Sequence, residues 1–171
     1  PTCVTKENQR SAVYLYVLLP VTAGVLYLAH PSSSWSGRLL GMAFVVLAFI
    51  PLTVFHEMAH TVVARGLGLK AFSITIGFGR RLLSGSALGL RWDVRLFPLG
   101  GVTRISGPPT SNFRLRLWLT YLAGPALHAI LAAMAWSTWL ALASTGSGDT
   151  LMAFVASGLF YSNMILLVVG L

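Results

Sequence analysis

The sequence predicts an α-helical integral membrane protein, with about four transmembrane helices and a small membrane-associated β-sheet between the second and third. Of the 171 residues, 56% are hydrophobic and only 9% are charged, whereas soluble domains carry about 25% charged residues. Four apolar stretches reach the roughly 17–25 residues that a helix needs to cross hydrocarbon. Between the second and third of them, apolar and polar residues alternate, which indicates strands.

The four apolar stretches define the predicted spans, which are residues 12–29, 39–64, 117–143 and 151–171. The first follows a short basic stretch, but its apolar run is long for a signal peptide and no small-residue cleavage site follows it, so we expect a retained anchor. The chain, residues 1–171, reads as a single transmembrane core without internal repeats. Because it ends inside an apolar run, we expect the protein to continue beyond Leu171.

Basic residues concentrate between the second and third spans. Nine of the twelve Lys and Arg residues lie between Arg65 and Arg116. Since cytoplasmic loops of membrane proteins are enriched in Lys and Arg, we expect loop 70–107 on the cytoplasmic side of the plasma membrane. Basic residues in a loop beside the lipid bilayer explain the formal charge of +8, so we expect no nucleic-acid partner. No feature of the sequence points to a particular oligomeric state.

Loop 70–107 contains two runs with the period of two that is typical of strands. The first run is Phe72, Ile74, Ile76 and Phe78, and the second is Leu88, Leu90, Trp92, Val94 and Leu96. We place a turn at residues 80–85 between them and a further short strand at residues 102–105. The adjacent Gly100 and Gly101 permit a bend or a close approach of the backbone.

The second span contains a potential metal-binding motif, because residues 56–60 read H-E-M-A-H. Residues four apart share one face of a helix, so His56 and His60 can direct their imidazoles at one ion. Nitrogen ligands suit zinc, and with Cys3 as the only cysteine a Cys-ligated site within one chain is excluded. Glu57, next to the first ligand, can take a proton from metal-bound water.

The depth of this motif argues against a chance match. It lies about 13 Å inside the basic boundary at Arg65 by helical rise, where idle ionisable groups cost several kcal/mol. We therefore predict a catalytic zinc centre, with a hydrogen-bonded structural cluster as the alternative. Pro51 either kinks the span and admits water, or is simply tolerated, as prolines in membrane helices are.

The third span carries a second group of unusual residues at a similar depth. Counted from Arg116, Gly124 lies about 12 Å and His128 about 18 Å into the span. Gly124 and Pro125 permit close packing and a break in the helical hydrogen bonds. His128 is either a zinc ligand or a hydrogen-bonded histidine in a polar cavity.

Together these motifs resemble the site-2 proteases, intramembrane zinc metalloproteases that cut other membrane proteins within or near their spans. The resemblance covers roughly residues 39–171 and rests on three motifs in order, F-H-E-M-A-H at 55–60, F-P-L-G-G-V at 97–102 and A-G-P at 123–125. It implies that His56 and His60 bind Zn²⁺ and that Glu57 is the general base. It also implies that the loop strands hold an extended substrate.

Eight residues follow from these motifs as candidates for substrate binding, namely Leu99, Gly100, Gly101, Val102, Gly124, Pro125, His128 and Asn163. The chain departs from the family in two respects. His128 stands near the place where the family usually has Asn, and the D-G motif that supplies the third zinc ligand is missing. Residues 162–166 resemble the beginning of the span that leads to this motif, so we expect the ligating Asp beyond Leu171.

The sequence therefore predicts a zinc metalloendopeptidase that hydrolyses peptide bonds in or near transmembrane segments of membrane proteins or membrane peptides. One alternative is a catalytically inactive zinc-binding relative that acts as a scaffold or regulator. Another is a channel or transporter with His and Glu along a polar path. The transporter alternative is disfavoured because the first and fourth spans are almost wholly apolar.

Overall fold

The computed structural model describes residues 35–108, 112–148 and 151–169. The predicted first span, residues 12–29, and the preceding basic stretch lie outside these residues. The chain divides into two compact units, Pro1–Phe44 and Val45–Leu171, and all the contacts discussed below lie within the second. The elements are α1 (Trp35–Gly66), β1 (Lys70–Ala87), β2 (Leu90–Ser106), α2 (Phe113–Ser144) and α3 (Leu151–Val169).

Two of the described helices are long and apolar enough to cross a membrane. They are Leu47–Gly66 within α1 and the whole of α2, Phe113–Ser144, with mean hydropathies of 1.4 and 1.5. The apolar part of α3, Leu151–Leu167, is shorter. The second and third predicted spans are therefore present as apolar helices, whereas the total of four spans stays a prediction.

One face of α2 packs inward and the rest of the helix is exposed. Only 11% of its apolar stretch is buried inside the protein, an exposure that lipid contacts would satisfy in a membrane helix. Apart from the adjacent Gly124 and Pro125, the buried positions are three or four residues apart, as a helix packed along one face requires: Thr120, Gly124, Pro125, His128, Ala132 and Ala135. This inward face therefore contains the residues that the sequence singled out on the third span.

The predicted sheet between these helices is built from two long strands that pair more than once. Residues 70–76 of β1 pair antiparallel with residues 101–106 of β2, and the end of β1 forms a hairpin with the start of β2. Residues 73–76 also pair with residues 91–94, and along this stretch the residue numbers of the two segments increase in the same direction. The first half of β1 thus lies between the two halves of β2. Residues 101–106 form one outer edge.

The turn predicted at residues 80–85 is wrong, because β1 continues to Ala87 and the chain reverses at Leu88 and Gly89. Both have positive φ, 54° and 70°, as the two-residue hairpin turn with the twist of paired strands requires. Leu88 fits the apolar alternation, but its side chain is 79% exposed. The separate strand predicted at residues 102–105 is the end of β2, which follows the bend at Gly100 (φ 93°).

A small apolar core joins the sheet to the helix that carries the H-E-x-x-H motif. Its buried members come from both strands, and Val54 of α1 packs against them together with Trp92 and Val94. The buried members are Ala71, Ile74, Ile76 and Leu90. Burying apolar area removes it from water at roughly 25 cal/mol per Å², and here it fixes the sheet beside the second half of α1.

Candidate metal centre

The two histidines of the H-E-x-x-H motif lie side by side on α1. Their ring centroids are 4.6 Å apart and their planes are inclined by 82°. Two imidazoles that bind one zinc ion through nitrogens at about 2.0–2.1 Å bring their centroids to roughly 5 Å. The spacing of His56 and His60 therefore suits a shared ion.

Helix α2 meets both histidines at Gly124. A Cβ built on Gly124 would overlap Nε2 of His56 and would lie 2.7 Å from Nε2 of His60. Both Nε2 atoms therefore face the same point on α2, and the close packing expected at Gly124 is present there. Any side chain at this position would displace the two rings.

The hydrogen bond of His60 determines which of its nitrogens is available. Its Nδ1 lies 2.6 Å from the backbone oxygen of Thr120. A carbonyl oxygen only accepts, so in the neutral ring Nδ1 carries the proton and Nε2 keeps its lone pair. Metal-binding histidines commonly donate their second ring N–H to a carbonyl in this way. His60 thus presents a ligand nitrogen toward the place where Nε2 of His56 also lies.

The carboxylate of Glu57 is buried, with 4% of the residue exposed, and β2 passes directly against it. The hydroxyl of Thr103 donates to Oε2 at 2.6 Å. A Cβ on Gly101 would lie 2.5 Å from Cγ of Glu57, so the backbone approaches as closely as glycine allows. No sequence motif includes Thr103, although its place two residues after Gly101 puts it on the same face of the strand.

His128 is buried and stacked on His56, with ring centroids 5.0 Å apart and planes inclined by 23°. Its Nδ1 lies 2.8 Å from Oδ1 of Asn163, and Nδ2 of Asn163 donates to the oxygen of Leu159 at 2.8 Å. Since the amide nitrogen is engaged elsewhere, its oxygen accepts from Nδ1 of His128. Nε2 of His128 is then a lone-pair nitrogen without a hydrogen-bond partner among the described residues.

Other candidate positions lie around this centre. Pro125 is buried next to Gly124, and Val102 is 58% exposed on the face of β2 opposite Gly101. Leu99 and Gly100 precede them in β2. Within residues 35–108, 112–148 and 151–169, no group of three or more His, Cys, Asp and Glu side chains is arranged to hold a metal ion. The geometry thus offers two nitrogen donors, His56 and His60.

The sequence profile of peptidase family M50 matches residues 44–170, which include the H-E-x-x-H helix, the sheet and the A-G-P helix. The chain belongs to peptidase family M50. The resemblance to the site-2 proteases is thereby confirmed, because M50 is the family of those enzymes. The M50 match also covers both helices that are long and apolar enough to span a membrane.

Several curated M50 relatives are named as zinc metalloproteases. A candidate zinc metalloprotease of Brucella suis is 31% identical over an alignment of 145 residues, and the match covers 70% of this chain and 38% of that protein. Zinc metalloprotease RasP of Geobacillus kaustophilus is 32% identical over 75 residues, 44% of this chain and 18% of that protein. RasP of Bacillus licheniformis is 34% identical over 62 residues, 36% and 15% of the two chains.

This chain therefore spans less than two fifths of the length of these M50 relatives. Their names and the family match agree with the enzyme class predicted from the sequence, a zinc metalloprotease. The side chains of this M50 member fit zinc, because two imidazoles converge on one point and His60 has its ligand nitrogen unprotonated.

Proposed function

We propose that this M50 protein is an intramembrane zinc metalloendopeptidase that hydrolyses peptide bonds in or near the transmembrane segments of membrane proteins or peptides. The observation that carries the proposal is the convergence of Nε2 of His56 and His60 on Gly124, beside the buried Glu57. His56 and His60 would hold the ion, and the resemblance to the site-2 proteases implies an Asp as the third ligand. When bound, zinc would polarise the scissile carbonyl and activate water.

Glu57 is the general base of the proposed reaction. Glu57 follows His56 directly in the sequence, and its carboxylate accepts a hydrogen bond from Thr103 of β2. It takes a proton from the attacking water and later delivers it to the amine that leaves. Because the carboxylate is buried, bulk water does not compete for its hydrogen bonds. Its orientation is set by α1, which carries Glu57, and by β2, which carries Thr103.

The outer edge of β2 is the proposed binding site for the unwound substrate. A peptide bond in a helix must be released from its hydrogen bonds before hydrolysis, and unpaired backbone groups cost several kcal/mol in lipid. Among the described residues, residues 101–106 pair with β1 on one side only. A substrate strand that adds to the other side gains backbone partners and passes Glu57, since Gly101 and Thr103 contact its carboxylate.

The remaining candidate residues complete the proposed substrate site. Leu99, Gly100 and Val102 belong to the same strand, while Gly124, Pro125, His128 and Asn163 border the metal-binding histidines or support them. His128 offers a lone pair at Nε2, which a donor such as a substrate N–H group or a water molecule would satisfy. Truncating either partner of the His128–Asn163 pair removes this arrangement.

The proposed placement is a multi-pass core in the plasma membrane, residues 1–171, with loop 70–107 on the cytoplasmic side. Arg65, in the last turn of the apolar helix α1, donates to the backbone oxygen of Leu88 at the hairpin tip, 2.7 Å away. The hairpin therefore lies at the basic end of α1. Lys and Arg favour the cytoplasmic side, which supports this orientation.

The second candidate function is a zinc-binding scaffold without protease activity, and one observation favours it. The described residues supply two metal donors, whereas a catalytic zinc site normally has three protein ligands and a water. A third ligand outside residues 1–171 would remove this objection. The scaffold would bind membrane proteins and leave them intact.

The deciding experiment uses the full-length protein, reconstituted in liposomes with peptides that each contain one apolar span. Wild type is expected to cleave at least one of them, to stop when zinc is chelated and to recover when zinc is returned. Glu57→Gln should keep zinc but lose about 10²–10⁴-fold in rate, as when one positioned acid–base group is removed. Cleavage by Glu57→Gln at the wild-type rate rules out the mechanism. Zinc binding without cleavage by wild type favours the scaffold.

A further inference from the structure

The last part of β2 is the surface against which the Glu57 carboxylate rests. A Cβ on Gly101 would lie 2.7 Å from Oε1 and from Cδ of Glu57, which leaves room only for a residue without a side chain. Thr103 lies two residues further on the same face, and its hydroxyl is 2.6 Å from Oε2. One oxygen of the carboxylate thus faces Gly101 and the other is hydrogen-bonded to Thr103.

Two oxygens of Glu57 compete for the single proton of the Thr103 hydroxyl. Oε2 lies at 2.6 Å and the backbone oxygen at 3.2 Å. The backbone oxygen already accepts from the hydroxyl of Thr61 at 3.0 Å. Hydroxyl bonds to carboxylates are usually about 2.5–2.7 Å long and roughly twice as strong as neutral ones, so the proton of Thr103 goes to Oε2.

We propose that Thr103 is a positioning residue for the general base. Its hydroxyl occupies Oε2 and thereby leaves Oε1 as the oxygen that exchanges protons. In the proposed reaction, Oε1 takes a proton from water as the water oxygen bonds to the scissile carbon. The same proton passes to the amine nitrogen as the C–N bond breaks. This inference rests on the proposed protease function and adds a residue to it.

The backbone of Thr103 is well fixed, which suits this role. Thr103 is paired with Ile74 of β1, whose side chain is fully buried in the core of the sheet. The hydroxyl is therefore carried by a paired strand and not by a loop. The same stretch, residues 101–106, offers the edge proposed for the substrate, so one strand sets both the path of the substrate and the orientation of the base.

A positioning role has a kinetic signature that a purely structural role lacks. Thr103→Val replaces the hydroxyl by a methyl group and keeps the β-branched shape that suits a strand. Proton transfer then slows, while strand pairing and metal binding persist. The kcat should fall about 10- to 100-fold, the range for losing a hydrogen bond to a charged group, with KM and zinc content unchanged.

The test compares variants of the full-length protein in liposomes, on a single-span peptide that wild type cleaves. Thr103→Ser keeps the hydroxyl and should restore kcat toward wild type. Thr61→Val is the matched control, because it removes a hydroxyl that donates to the backbone oxygen of the same Glu57 and not to its carboxylate. Its kcat should stay near that of wild type.

Wild-type kcat in Thr103→Val, or an equally slow Thr103→Ser, would overturn the proposal. If Thr103→Val loses zinc or melts at a lower temperature, Thr103→Ser and Thr103→Ala decide, since the two differ by one oxygen atom. Equal rates in this pair overturn the proposal, and a faster Ser variant supports it. If wild type itself cleaves no peptide, the protease function fails and the role of Thr103 falls with it.

Discussion

Asn163 of α3 accepts a hydrogen bond from Nδ1 of His128 on α2 across 2.8 Å, and this contact determines which nitrogen of a buried histidine carries the proton in the neutral ring. The amide group of Asn163 is oriented by its own bond to the oxygen of Leu159. The outcome is a histidine whose Nε2 accepts hydrogen bonds and does not donate them in the neutral state.

Removal of this acceptor should destabilise the protein. Asn163→Leu leaves the Nδ1–H group of His128 buried without a partner, which costs about 1–3 kcal/mol. We expect a lower melting temperature in detergent solution. Asn112→Leu is the control, since Asn112 is exposed and makes no side-chain capping bond. Equal melting of Asn163→Leu and wild type would contradict the assigned hydrogen bond.

Loss of a metal-binding histidine should remove zinc. His56→Ala and His60→Ala each delete one of the nitrogens that converge on Gly124, so the purified full-length variants should contain little zinc. His128→Asn should retain it, because His128 is bonded to Asn163 and is not assigned as a ligand. Elemental analysis distinguishes the three. Zinc loss in His128→Asn equal to that in His56→Ala would make His128 a ligand.

A single methyl group at Gly124 should disturb the same centre. In Gly124→Ala the new Cβ overlaps the rings of His56 and His60, and such overpacking typically costs about 1–3 kcal/mol. Zinc affinity should fall accordingly, as measured by competition with a chelator. Gly66→Ala is the matched control, since a Cβ there meets nothing within 4 Å. Unchanged affinity in Gly124→Ala would refute the close approach of α2.

The proposed topology is open to direct labelling. Cys3, the only cysteine, is first replaced, and single cysteines are introduced at Ser84 in the hairpin and at Ser147 after α2. An impermeant thiol reagent should reach Ser84→Cys from the cytoplasmic side and Ser147→Cys from the opposite side. Labelling of both from the outside would overturn the orientation derived from the basic loop.

Local rules were enough to predict that His56 and His60 share one face of a helix. They did not identify the residues from distant parts of the chain that contact the motif. His56 and His60 share a face because a helix repeats every 3.6 residues, and this needs no knowledge of the rest of the fold. Thr103 contacts Glu57 across 46 positions of sequence, and the contact exists only because the strand register brings it there. The hairpin turn was missed because Leu88 fits the strand pattern while its backbone adopts positive φ.

The order of strand segments in the sheet also limits where a substrate can bind. The pairing places the four segments in the order 101–106, 70–76, 91–94 and 81–87, so the inner two have partners on both sides. Of the two outer segments, residues 101–106 contact Glu57. In the proposed reaction, a peptide added there would be aligned by its backbone, residue against residue, with the carboxylate of Glu57 at a set distance along the ladder. The cleavage site would then lie a fixed number of residues from the first paired residue of the substrate. The length of substrate that can unwind from its helix would matter more than the identity of its side chains.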